Sequence, residues 1–124
     1  MRLLLDTHLL LWALGEPRRI QRDALALIER SDVYISPASI WEISIKAALG
    51  KLKAKPAEVL QAVEPAGFSW LPIQAEHAAR VYDLGRHHPD PFDRLLVAQA
   101  ELERMTLLTM DQALAAYGQH VRVI

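Results

Sequence analysis

The run Met1-Arg2-Leu3-Leu4-Leu5-Asp6 leaves this chain few ways to fold. Three consecutive leucines read as a strand covered on both faces, which is the condition of a strand inside a parallel sheet. The apolar run then stops on a carboxylate. In open α/β sheets ligands bind just beyond the carboxyl ends of the strands. Asp6 therefore stands at a candidate site, and the question becomes which other groups join it.

The rest of the chain supplies short strands alternating with helices. Thr7 is placed to cap a helix over about 8–14, which Gly15 and Pro17 end. Ile20, Ala24, Leu27 and Ile28 recur at helical spacing, predicting an amphipathic helix over about 18–30. Val33-Tyr34-Ile35 is a short strand. Ser36 followed by Pro37 is a helix start, with the hydroxyl as cap and the proline in the first turn; this helix runs to about Leu49 and stops at Gly50. Pro56 opens another helix with Val59, Leu60 and Val63 inward, Ser69–Leu71 is a weak strand, and 74–85 is helical through Ala75, Ala78, Ala79 and Tyr82. After the loop 86–91, residues 93–104 form a central helix, apolar almost all round at Leu95, Leu96, Val97 and Ala98. Thr106–Thr109 is a strand, Asp111–Tyr117 a short helix and Val121–Ile124 a last strand. This alternation predicts one α/β domain over 1–124 with helices on both faces of a mainly parallel sheet.

Composition closes several functional classes. The 124 residues carry 14 Lys and Arg against 15 Asp and Glu, a net charge of −1. Nucleic-acid binding must then use a local basic patch or a bound cation. There is no cysteine, which excludes disulfides, thiolate metal sites and a cysteine nucleophile and fits a reducing compartment. Asp6 and His8 interrupt the apolar run MRLLLDTHLLLWAL, no small-x-small cleavage site follows, and no stretch approaches the roughly 18 apolar residues of a membrane span. The expectation is a soluble cytoplasmic protein. No G-x-S-x-G, P-loop or G-x-G-x-x-G is present, so serine hydrolase, NTPase and dinucleotide readings lack support. His87 and His88 have no partner at zinc-ligand spacing. Trp12 and Trp41 are expected in the core.

Four acids stand out. Asp6 and Asp111 follow strands. Asp93 sits in the first turn of the central helix behind Asp90 and Pro91, a cap and a first-turn proline. Each also has an ordinary reading as a helix or turn residue. Glu42 shares a helix face with Ala38, Ser39, Ile45, Lys46 and Leu49; its ordinary reading is an ion pair with Lys46, worth about 0.2–0.5 kcal/mol. Gathered in one place, four carboxylates would repel one another. A divalent cation resolves that repulsion, and an all-oxygen ligand set suits Mg²⁺ or Mn²⁺.

The motifs LLLDTHLLLWAL, SPASIWEI, DPFDRLLVAQA and Thr109-Met110-Asp111, in this order and over nearly the whole chain, resemble a PIN domain, and more closely the VapC-type toxins of bacterial type II toxin–antitoxin pairs. The resemblance implies a Rossmann-like α/β/α sandwich and a metal-dependent endoribonuclease. It implies an acidic quartet at Asp6, Glu42, Asp93 and Asp111 holding Mg²⁺ or Mn²⁺, and Thr7 supporting the site by its hydroxyl. Asp90 takes a supporting or capping role. A homodimer and a small antitoxin that occupies the active-site groove are implied as well. In that mechanism the cation activates a water for in-line attack on a phosphodiester, with Glu42 as the candidate proton acceptor. Lys46, Lys51, Lys53, Arg86 and Arg94 are candidates to meet the RNA backbone. Two other readings compete. One is a PIN-like module that only binds a partner protein. The other is a haloacid-dehalogenase-type phosphatase, whose pattern wants Asp and then Thr or Val where this chain has His8 and Leu10.

Overall fold

The computed structural model describes residues 1–124. Five strands, β1 (Arg2–Leu5), β2 (Asp32–Ile35), β3 (Ser69–Trp70), β4 (Thr106–Thr109) and β5 (Val121–Val123), form one sheet in the order β3-β2-β1-β4-β5. Every neighbouring pair is parallel, so the sheet is wholly rather than mainly parallel. Six helices surround it: α1 (Thr7–Gly15), α2 (Arg22–Glu29), α3 (Pro37–Ala48), α4 (Pro56–Ala62), α5 (Ala75–Arg80) and α6 (Pro91–Glu103).

The strand sequences explain the two cores. Successive side chains of a strand point to opposite faces. Leu3, Leu5, Val33, Ile35 and Leu108 pack into one core with Leu9, Leu10, Leu27, Ile28 and Val59 of α1, α2 and α4. Leu4 and Leu107 point the other way, onto Leu96, Val97, Ala98 and Ala100 of α6. Leu3, Leu4 and Leu5 have no solvent exposure. The unbroken leucine run is thus what a central strand of a three-layer α/β/α sandwich requires.

The topology fixes where the site lies. The chain lays down β1, β2 and β3 outward in one direction, then returns to place β4 and β5 on the other side of β1. The strand order reverses between β1 and β4, and beyond the carboxyl ends of these strands a crevice opens.

Several local expectations change. Asp6, not Thr7, caps α1: its carboxylate accepts from the Leu9 amide at 2.9 Å, and Thr7 is the first helical residue. The helix expected over 18–30 splits, because Pro17–Arg19 close a 3-10 turn and Ile20 is extended before α2 begins at Arg22. The helix expected over 74–85 is α-helical only to Arg80, with Val81–Asp83 in a 3-10 turn; Tyr82 points outward and His77 is buried instead. Leu60 is exposed, because α4 buries only Val59 while Val63 lies just past its end. Residues Gln112–Tyr117 are a 3-10 rather than an α-helix. Trp41 stands outside the core, its ring edge-on to Phe92, whereas Trp12 is half-buried against the α1 side of the sheet. Gly50 ends α3 with φ of 72°, a conformation that favours glycine.

Candidate active site

The crevice beyond β1 and β4 is a cleft of about 560 Å³ whose lining includes Asp6, Glu42, Asp90, Asp93 and Asp111 together with Thr7, Lys46 and His88. The four sequence-predicted acids therefore meet in one place, from four elements. Asp6 ends β1, Glu42 projects from the middle of α3, Asp93 from the first turn of α6, and Asp111 follows β4.

Each acid is held differently. Asp6 is 6% exposed; one carboxylate oxygen accepts from the Leu9 amide and the other from the Thr109 hydroxyl at 2.5 Å, which ties the ends of β1 and β4 together. Burial pushes its carboxyl up, and the bonds from Thr109 and Leu9 oppose that rise. Glu42 is also 6% exposed. It accepts from the Thr7 hydroxyl at 2.6 Å, and its second oxygen pairs with the Lys46 ammonium. Thr7 in turn contacts Ser39 at 3.0 Å, so α1 and α3 are joined behind the site by hydroxyls. Of the expected stripe around Glu42, Ala38 and Ser39 are buried, while Ile45 and Leu49 face outward.

Asp90 is a cap. Its Oδ1 accepts from the amides of Phe92 at 2.8 Å and Asp93 at 3.2 Å, which starts α6 and aims Asp93 into the cleft. Asp111 caps the 3-10 turn by accepting from the Ala113 amide at 3.0 Å, and its other oxygen meets His88 Nε2 at 2.7 Å. That histidine bond holds the Asp111 carboxyl below the usual carboxylate range.

Asp93 is the exception. It is the one acid of the cleft whose carboxylate receives no hydrogen bond from the protein; the His88 ring nitrogen Nε2 lies 3.7 Å away and is bonded to Asp111 instead. Only 18% of its side chain is exposed. Burial first, then the like charges of Asp90, Asp6 and Glu42, push its pKa up from 3.8 to about 7. The cleft is thus loaded with more negative charge than its own donors balance.

His88 is the site residue that sequence spacing did not single out. Its Nδ1 accepts from the Asp90 amide at 3.1 Å, so its neutral ring carries the proton on Nε2 and donates it to Asp111. The ligand atoms of His88, Asp93 and Asp111 all lie within 4.8 Å of one another. With Nε2 protonated, His88 serves as a clamp on Asp111, and the donors left for a cation are carboxylate oxygens. An oxygen-only set beside an unneutralised acid fits a hard divalent ion such as Mg²⁺ or Mn²⁺.

The basic candidates separate. Lys46 lines the cleft itself. Arg86 is exposed and lines an adjoining cavity with His87, His88, Pro89 and Arg94. Arg94 is committed to the backbone, donating to the carbonyls of Val81 at 2.9 Å and Gly85 at 3.3 Å. Lys51 is exposed in the turn after α3, outside the cleft, and Lys53 lies on the groove between α1 and α4. No helix is long and apolar enough to cross a membrane.

Comparison with known proteins agrees with this architecture. The chain superposes on a chain of the VapBC2 structure from Rickettsia felis, solved bound to a DNA fragment from their promoter, with a TM-score of 0.69 and 16% identity, covering 100% of this chain and 98% of that one. It superposes on a chain of FitAB bound to IR36 DNA with a TM-score of 0.66 and 24% identity, covering 98% and 94%. No curated protein sequence matches it. Residues 3–119 match the model of the PIN domain. That match runs from β1 through the cleft-bearing helices to the turn before β5, and on it the chain belongs to the PIN domain family.

Proposed function

We propose that this protein is a Mg²⁺- or Mn²⁺-dependent endoribonuclease that acts in the cytoplasm as the toxin of a type II toxin–antitoxin pair. The observation that carries the reading is Asp93: an enclosed carboxylate without a protein donor, facing three other acids. A site built only for stability would pair it or leave it in water. PIN family membership supports nuclease chemistry.

Asp6, Glu42 and Asp93 would hold the cation, with Asp111 completing the site. When bound, the cation supplies a Lewis acid that activates water and offsets the charge developing on the phosphate. The protein's own groups set the stage for it. Thr109 and the Leu9 amide fix Asp6, Thr7 fixes Glu42, and His88 fixes Asp111. Both Glu42 oxygens already have partners, Thr7 on one and Lys46 on the other, so its part is orientation and charge. Asp93 is the carboxylate free to take up a cation or the proton of the attacking water. Lys46 and Arg86, with Lys51 further out, would meet the RNA backbone, and Arg94 would hold the loop that presents Arg86.

The partner reading rests on the two superposed structures, which are VapBC2 and FitAB assemblies. A cognate antitoxin and a homodimer have apolar surface available, because Trp41, Leu49 and Leu60 are 60%, 63% and 52% exposed.

The test is incubation of a mixed RNA pool with purified protein in Mg²⁺, in EDTA, and with the Asp6→Asn variant. Discrete fragments that disappear in the last two arms are expected. A folded, metal-supplied protein that leaves the pool intact would move the reading to a PIN-like binding module.

A further inference from the structure

Lys46 is the only lysine or arginine lining the acid cleft, and it stands one helical turn beyond Glu42 on α3. Its ammonium is ion-paired with Glu42 Oε2, and it also feels the charges of Asp90 and Asp93. The pair is unsymmetrical. Glu42 is fixed, with 8% of its side chain exposed and its other oxygen bound to Thr7, whereas 41% of the Lys46 side chain is in solvent. Glu42 cannot leave the cleft, but the lysine head can swing away on its four-carbon stem without unpacking anything.

Lys46 also takes a place a cation would want. Of the two Glu42 oxygens, Oε1 is turned back toward Thr7 and Ser39 behind the site, so the oxygen carrying the ammonium is the one left for a ligand. A lysine here supplies one positive charge to a cluster that holds several negative ones. It is a partial and displaceable substitute for a divalent ion.

From this geometry we propose that Lys46 is the resident counter-cation of the cleft. It balances Glu42 while no divalent ion is bound, is displaced when one binds, and is thereby released toward the anionic phosphate of the substrate. This rests on the metal-dependent nuclease reading above and adds a switch to it. The protein is protected against its own acid cluster when metal-free, and a cation is delivered to the substrate only when the site is loaded.

The experiment is Mn²⁺ binding followed by electron paramagnetic resonance on the wild type, Lys46→Met and Lys46→Arg, with thermal unfolding of each protein with and without Mn²⁺. Removing one positive charge at ion-pair distance from a ligand in a half-open site is expected to tighten Mn²⁺ binding about five- to tenfold. Lys46→Met should therefore bind Mn²⁺ more tightly, unfold at lower temperature without it, and gain more from it than the wild type. Lys46→Arg, which keeps the charge, should stay within about twofold of wild type. On RNA, Lys46→Met should raise KM, because the released cation is missing. Equal or weaker Mn²⁺ binding by a folded Lys46→Met overturns the proposal alone. A wild type that binds no Mn²⁺ overturns the metal-dependent reading, and the proposal with it.

Discussion

Replacing Asp93 by Asn should make the metal-free protein more stable while removing its activity. In the fold the Asp93 carboxyl titrates at about 7 instead of 3.8. A raised carboxylate binds its proton more tightly in the folded than in the unfolded state, so its ionised form destabilises the fold. The cost is absent below 3.8, grows as pH rises, and is complete above about 7. The full displacement corresponds to about 4 kcal/mol. Solvent reaching the 18% exposed side chain screens it, leaving about 1–2 kcal/mol. Loss of a negative charge from the first turn of α6 offsets about 0.5 kcal/mol. For a domain of this length the net gain corresponds to a rise in Tm of about 2–7 °C at pH 8, shrinking to less than half of that at pH 5. Differential scanning calorimetry in EDTA at both pH values reads it directly. Mg²⁺ should then stabilise the wild type at pH 8 and stabilise Asp93→Asn much less. An Asn variant no more stable than wild type at pH 8, or equally stabilised at pH 5 and pH 8, would refute the charge-loaded cleft.

Other outcomes follow from the same geometry. Asp6→Asn and Glu42→Gln should keep the circular dichroism of the wild type and lose cleavage by at least about 100-fold, since each removes charge from the cation site. Thr7→Val should cost about 1–2 kcal/mol in urea unfolding and lower kcat, because a buried hydroxyl bonded to Glu42 and Ser39 is replaced by a methyl. His88→Ala should free Asp111 and reduce kcat about tenfold, and His88→Gln, which retains a side-chain donor, should recover part of that loss. Arg86→Ala should raise KM with little change in kcat and flatten the salt dependence of RNA binding by about 0.7 per lost phosphate contact.

The fold was legible where one residue pattern admits one structure. Leu3-Leu4-Leu5 has no polar face, so it could only be a strand between two layers, and both cores meet on it. Ser36-Pro37 and Asp90-Pro91 carry their own start signals, and α3 and α6 begin where those signals lie. These same features position Asp6, Glu42 and Asp93, and the acids were readable for that reason. What escaped was set by tertiary contact. His88 sits in a loop without periodicity, and its bond to Asp111 exists only once the start of α6 and the end of β4 are side by side. Arg94 looked free for RNA, but its guanidinium is taken by carbonyls of a turn nine and thirteen residues upstream. Trp41 and Tyr82 lay on helical patterns that read as inward; α3 turns Trp41 out toward Phe92, and the α5 helix tightens before Tyr82 can reach the core.

Whether the four acids hold a divalent cation can be read from a crystal soaked in Mn²⁺. Anomalous scattering should show a peak in the cleft bounded by Asp6, Glu42, Asp93 and Asp111, and no peak there in Asp93→Asn. A Mn²⁺ peak elsewhere with this cleft empty, or a cleft peak undiminished in Asp93→Asn, would mean that the acids of this cleft are not the cation site.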